Sequence, residues 1–158
     1  MILRDATSAD AGAIAAIWNR EIRDGVSTFN TVEKDLGALK AAIASDAVYV
    51  VAELDREVVG FATFGPFRGG SGYVHTMEHT IYLDEAARGK GVGRKLMAAL
   101  EAEAQDRNVH VLVAGVGGEN SAGIAFHKAM GFVEVGRMPE VGRKFERWMD
   151  LVLLQKRL

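Results

Sequence analysis

The sequence predicts an α/β protein in which a central mixed sheet carries helices on its faces. Two observations lead there. Segments with strand-type alternation and segments with helix-type apolar spacing interleave in the order βααβββαβαββ. Hairpin-type junctions come before the helical crossovers, which argues against an all-parallel, doubly wound sheet. About seven strands and about four helices fit a single domain over residues 1–158.

Residues 2–6 read as a short first strand. Ser8 is placed to cap a helix whose Ile14, Ile17 and Trp18 fall at i, i+3, i+4. Thr31 can cap a second helix with apolar positions Leu36, Leu39 and Ile43. Residues 47–54 (AVYVVAEL) form a strand, and Asp55-Arg56 turns it into another over 57–67. After a Gly-rich loop at 68–72, residues 73–83 make a longer strand. Residues 92–107 form an amphipathic helix with Val92, Leu96, Leu100 and Ala104 along one side. Residues 109–116 are a β-branched run of the buried-strand type. Residues 120–130 make a short helix closed by Gly131, and residues 132–138 and 144–154 supply the last strands.

Composition narrows the function. Lys plus Arg number 19 and Asp plus Glu 21, a formal charge of −2. That balance supplies no broad field for nucleic acid or an anionic membrane, so neither is expected as a partner. The absence of Cys excludes disulfides, thiolate metal sites and cysteine nucleophiles. No apolar run approaches the ~18 residues of a spanning helix. The start, Met1-Ile2-Leu3-Arg4-Asp5, is charged too early for a signal peptide, so a soluble, cytoplasmic chain is expected. Gly is enriched at 18 residues, and eleven of them fall at 65, 69, 70, 72, 89, 91, 93, 115, 117, 118 and 123. Such clustering fits a ligand-handling middle, with flexible surface turns as the alternative.

Arg88-Gly89-Lys90-Gly91-Val92-Gly93-Arg94, between a strand and a helix, is the most informative stretch. A helix start offers free N–H groups and the positive end of the macrodipole, and glycines let an anion approach them. Arg88, Lys90, Arg94 and Lys95 add positive charge, so the stretch suits a pyrophosphate. The alternative is a Gly-rich turn with solvated basic side chains. A Walker loop requires Gly-Lys followed by Ser or Thr, whereas Gly93 is followed by Arg94-Lys95-Leu96. A dinucleotide fingerprint belongs after the first strand, and here the loop follows the fourth.

His75-Thr76-Met77-Glu78-His79 matches the H-x-x-E-H spacing of certain zinc peptidases. That chemistry needs a helix, but YVHTMEHTIYL alternates like a strand. Strand positions four apart lie roughly 13 Å from each other, too far for one zinc, so no metal is expected. Glu78 is more interesting as a general base, because burial in an apolar strand would raise its pKa towards the working range. An exposed edge glutamate is the alternative. Alternation puts Thr76, Glu78, Thr80 and Tyr82 on one face, and His75, Met77, His79, Ile81 and Leu83 on the other. His127 is a helix-surface histidine or a proton donor near the site. Arg68 either clamps a carboxylate or is solvated on its loop. Trp18 and Trp148 are read as core or interface packing.

With Arg88-Gly-Lys-Gly-Val-Gly93 after a strand and before a helix, the chain resembles the GNAT superfamily of acetyl-CoA-dependent N-acetyltransferases. Within it the chain is most similar to the phosphinothricin and methionine sulfoximine/sulfone acetyltransferases. The matching pieces are Gly65-Pro66-Phe67-Arg68, Thr76 to Leu83, Asn120-Ser121-Ala122, and Met138-Pro139-x-Val141-Gly142-x-Lys144-Phe145-x-x-Trp148. The resemblance implies the GNAT fold, acetyl-CoA as cosubstrate and a small amino-acid-like amine as acceptor. It implies that backbone groups of Ile81, Tyr82 and Leu83 pair with the pantetheine arm. Pyrophosphate binding falls to Arg88, Gly89, Lys90, Gly91, Val92, Gly93 and Arg94, and Asn120 hydrogen-bonds the pantetheine. Glu78 takes a proton from the substrate ammonium, and His127 sits near the sulfur. Phe29, Phe67, Arg68, Tyr73, His75 and Glu78 line the acceptor pocket. Gly69-Gly70-Ser71-Gly72, Val74 and His75 depart from bulkier or charged residues in relatives, which widens that pocket and makes it less basic. The resemblance also implies a homodimer through the C-terminal strands and Trp148. Two other readings remain open: acetylation of peptide N-termini or another amine, and a CoA-binding module without turnover.

Overall fold

A computed structural model describes residues 1–158. Its strands are β1 (Ile2–Asp5), β2 (Tyr49–Leu54), β3 (Glu57–Pro66), β4 (Thr76–Leu83), β5 (Val111–Gly117), β6 (Val133–Lys144) and β7 (Arg147–Arg157). Its helices are α1 (Ala11–Asp24), α2 (Leu36–Ala44), α3 (Val92–Asp106) and α4 (Ser121–Ala129). The strands form one sheet in the order β1-β2-β3-β4-β5-β7-β6. Every neighbouring pair is antiparallel except β4 with β5, which the α3 crossover makes parallel.

Strand alternation sorts the core into two layers. Val51 and Phe61 pack against Ile14, Ile17, Trp18 and Ile22 of α1 and Leu39 and Ile43 of α2. The opposite side chains, Val50, Ala52, Ala62, Leu112 and Val152, meet Leu96, Met97 and Leu100 of α3. Burying each large aliphatic group on either face contributes roughly 1.5–3 kcal/mol.

The feature that positions the site is where β4 and β5 part. Their pairing covers Thr76↔Val111, Met77↔Leu112 and Glu78↔Val113, and goes no further. Beyond it β4 keeps β3 as far as Leu83, and β5 keeps β7 as far as Gly117. Each strand thus holds its outer partner and frees its inner edge, and the sheet opens into a wedge.

Four local expectations give way. The first turn after β1 is 3-10, with α1 beginning at Ala11; the Thr7 N–H donates to the Asp10 carboxylate at 2.8 Å, so Ser8 is not the cap. Helix α2 starts after Asp35, which accepts from the Ala38 N–H at 2.8 Å, and Thr31 lies in the preceding loop. The strand expected from residue 73 begins at Thr76, because Gly70 takes a φ of 107° and leads into a 3-10 turn at Ser71–Tyr73. The loop expected between 138 and 144 is instead a bulged stretch of β6, shifted between Met138 and Gly142. The true hairpin turn is Phe145-Glu146, both at positive φ as a two-residue turn of this twist demands.

Candidate active site

A cavity of about 1100 Å³ fills the wedge between β4 and β5. Its floor is bare because β5 places two glycines on that face. Glu78 brings its carboxylate to within 3.3 Å of where a Cβ on Gly115 would stand. Two residues on, the ring of Phe29 lies 3.5 Å from the corresponding point on Gly117. Residues i and i+2 of a strand share a face about 7 Å apart, so Glu78 and Phe29 stand over successive positions of this floor.

Glu78 remains partly open to solvent, yet the surrounding protein removes enough water to raise its pKa above the ordinary carboxylate value. Tyr82, on the same face of β4, is pushed strongly upward by burial and then by the nearby Glu21 carboxylate, against a hydrogen bond with Thr28. It is therefore a neutral phenol at physiological pH.

On the other face of β4, His79 is buried against α4. Its Nε2 lies 2.9 Å from Nε2 of His127, whose Nδ1 lies 2.7 Å from the Gly123 carbonyl. A carbonyl only accepts, so His127 carries its proton on Nδ1. In the neutral pair His79 then donates from Nε2, which leaves the buried His79 Nδ1 without a partner. Burial holds both imidazoles below the ordinary histidine value; for His79 the neighbouring His127 adds to this and the Val113 carbonyl opposes it.

At the other end of the cavity, Gly89 and Gly91 turn the chain with φ of 73° and 77° into the start of α3. Gly91 and Gly93 line the cavity beside that helix start, where N–H groups lack intrahelical partners. The free edge of β4 over Ile81–Leu83 leads towards it. Arg94 also lines the cavity. The Arg88 guanidinium is held by the Glu21 carboxylate at 2.8 Å, so it tethers the loop to α1. Lys90 is exposed, and Val92 turns into the core at 2% exposure. Asn120 caps α4 by accepting from the Gly123 N–H at 2.9 Å, and its Nδ2 donates to Ser27 Oγ at 3.1 Å.

The wedge brings Glu78, His127, Phe29 and Asn120 together. Four expected acceptor-pocket residues, Phe67, Arg68, Tyr73 and His75, do not line it. The physical reason is the turn at 68–75. β4 enters the sheet at Thr76 beside Val111, so everything before it lies past the closed end of the wedge. Arg68 stacks on Tyr73 at 5.0 Å there, and His75 Nδ1 meets the Asn108 carbonyl at 2.8 Å. His75 and His79 thus engage separate partners.

Sequence reasoning did not find Lys144 as a residue of the site. Its ammonium, on a side chain only 4% exposed as a residue, donates to the carbonyls of Glu21, Gly25 and Thr28 at 3.1, 2.6 and 2.9 Å. Burial lowers its pKa, while Glu21 and Asp24 favour the charge. The only sequence signal was its place in the unusual 138–148 stretch, since backbone acceptors leave no trace in residue identity.

The chain as a whole is similar to known acetyltransferases. A model of the acetyltransferase (GNAT) family matches residues 14–132. An L-methionine sulfoximine/L-methionine sulfone acetyltransferase of Salmonella typhimurium is 38% identical, over 100% of this chain and 95% of that protein. A ribosomal-protein-alanine N-acetyltransferase structure from Brucella melitensis superposes with a TM-score of 0.94 at 41% identity, covering 100% of both chains. A phosphinothricin acetyltransferase from Sinorhizobium meliloti, solved with acetyl-CoA, gives 0.92 at 33% identity over 99% of this chain and 88% of that one.

Proposed function

The chain belongs to the acetyltransferase (GNAT) family, and from that premise we propose that it acetylates the primary amine of a small amino-acid-like acceptor with acetyl-CoA. Phosphinothricin, methionine sulfoximine and methionine sulfone define the acceptor type. The observation that carries this reading is the wedge, with a carboxylate of raised pKa at its closed end and a glycine-turned helix start at the other.

The residues fit the cosubstrate. Free N–H groups at the start of α3, with Arg94, would hold the pyrophosphate, and the unpaired edge of β4 at Ile81–Leu83 would pair with the amide-bearing arm as an added strand. Acetyl-CoA would supply the acyl group and a thiol leaving group. Glu78 would take the proton from the acceptor ammonium, directly or through water, leaving the neutral amine to attack. Backbone N–H groups on the β4 edge would donate to the carbonyl oxygen as charge builds on it. We assign His127 as the second catalytic group. With Nδ1 committed to Gly123, its Nε2 is the ring atom able to exchange a proton, and His79 holds that atom in the resting state. Phe29 would bound the acceptor side.

We also propose a homodimer. Exposed Val133, Val135, Met138, Val141 and Trp148 on β6 and β7 present an apolar surface that a second copy would cover.

The similarity to the Brucella ribosomal-protein-alanine enzyme favours a second reading, acetylation of peptide N-termini. An amine panel with acetyl-CoA and thiol-release detection separates the two. Release is expected with phosphinothricin and methionine sulfoximine. A preference for alanine-terminated peptides would select the second reading, and no release with any amine would leave a CoA-binding module.

A further inference from the structure

The 138–148 stretch is unusual in sequence, and neither the proton path nor the cofactor contacts account for it. The structure gives it a physical task. Strand β6 places Gly142 and Lys144 two residues apart on one face, the face that looks towards α1. Above them runs the segment 25–30, which joins α1 to α2 and forms a wall of the cavity through Val26, Ser27 and Phe29.

Lys144 meets this segment and the end of α1 with every proton it has. Its three donors satisfy the carbonyls of Gly25 and Thr28 and that of Glu21 in the last turn of α1, which also accepts from the Gly25 N–H at 2.9 Å. A cation there is also favoured by the helix macrodipole. Two glycines make room for the same segment. A Cβ on Gly142 would collide with the Phe29 ring, and one on Gly117 with the Val26 carbonyl. Asn120 completes the seat through its bond to Ser27. The segment is thus held through its own acceptors by donors from β6 and the α4 cap, and by the space two glycines of β5 and β6 leave for it.

We propose that Lys144 and Gly142 are positioning residues for the acceptor side of the site. They seat the 25–30 segment so that Phe29 stands over Gly117, one floor position on from the Glu78 carboxylate. The proposal rests on the acetyltransferase reading given above. The cofactor end, at 88–94, is tethered through Arg88 to the Glu21 carboxylate, whereas Lys144 takes only the Glu21 carbonyl and spends its other two donors within 25–28, so loosening the seat is expected to act on the amine before acetyl-CoA.

The test uses the full chain and two variants. Lys144→Met keeps the length of the side chain and removes all three donors. Amide hydrogen exchange over residues 25–30 is expected to quicken by on the order of tenfold. KM for methionine sulfoximine is expected to rise about tenfold, with calorimetric acetyl-CoA affinity within about twofold of the parent. Gly142→Ala leaves the ammonium clamp in place and displaces the Phe29 ring. It should raise the amine KM with little change in exchange at 25–28, and it decides the matter if circular dichroism shows Lys144→Met unfolded. Unchanged exchange in Lys144→Met, or acetyl-CoA affinity falling in step with the amine in either variant, overturns the proposal. Absence of thiol release by the parent protein with every amine would overturn the acetyltransferase reading instead, while exchange and calorimetry would still judge the seat.

Discussion

Glu78 lies between water and protein, and that position sets its acid strength. Because desolvation raises its pKa, the basic form fills only at pH above the ordinary carboxylate value of 4.5. The acid limb of kcat/KM is therefore expected above that value, and it should vanish in Glu78→Gln. Turnover of that variant should fall by on the order of 10²–10⁴ while acetyl-CoA still binds by calorimetry. Undiminished turnover would remove Glu78 from the reaction. The histidine pair responds to pH in the opposite sense. In the unfolded chain each imidazole titrates near 6.5, whereas in the fold both are held neutral to lower pH. The unfolded chain therefore takes up protons first, and stability, complete above about pH 6.5, declines as pH falls below it. His79→Gln still offers a donor to His127 but does not titrate. Its urea midpoint should fall less than that of the parent between about pH 6.5 and 5. An equal fall in both proteins would clear His79 of this role. Glu78 was legible in the sequence as a carboxylate in an apolar strand. The His79–His127 contact was not, because 48 positions separate the two residues.

At the scale of elements, α3 and its glycine turn were the most legible part of the chain. Glycines, cations and a 3.6-residue apolar period coincide there, and all are local properties. Gly91 occupies the left-handed region at a φ of 77°, where a side chain costs about 1–2 kcal/mol. Gly91→Leu should weaken acetyl-CoA by calorimetry more than it weakens the amine. Equal losses would point to general unfolding. The elements that sequence reading misplaced share a cause. The sequence offers Thr31 as the start of α2, but residues 25–35 are loop, held by Lys144 and Asn19 from outside it. Residues 139–143 read as a loop in sequence, yet β6 runs through them: residues 139–141 bulge out with the Glu140 N–H on the Asp150 carboxylate at 3.0 Å, and Gly142 and Arg143 rejoin β7 opposite Met149 and Trp148. In both places a tertiary partner overrides the local pattern.

At the scale of the whole molecule, one edge of the sheet exposes a group of large apolar residues. Trp148 is 59% exposed and Val133 64%, both on the final hairpin, where Arg143 stacks over the indole at 4.6 Å. Covering such an edge also removes the hazard of an unpaired strand. Light scattering is expected to give a dimer, and Trp148→Glu to shift it towards monomer with the circular dichroism spectrum retained. A monomeric parent protein would set the dimer aside. The sequence by itself determined which segments are strands and helices, their order, and that a basic, glycine-rich turn leads into α3 and a carboxylate stands at 78 in an apolar strand. Each of these is written in the spacing of neighbouring residues. The tertiary structure alone decided where β4 leaves β5, which face of the wedge is glycine floor, and that residues 67–75 stand outside it. It also decided that His79 meets His127 and that Lys144 grips the carbonyls of a segment more than a hundred positions away. Those outcomes depend on backbone groups and on free space between distant parts of the chain, and neither is encoded in any local run of side chains.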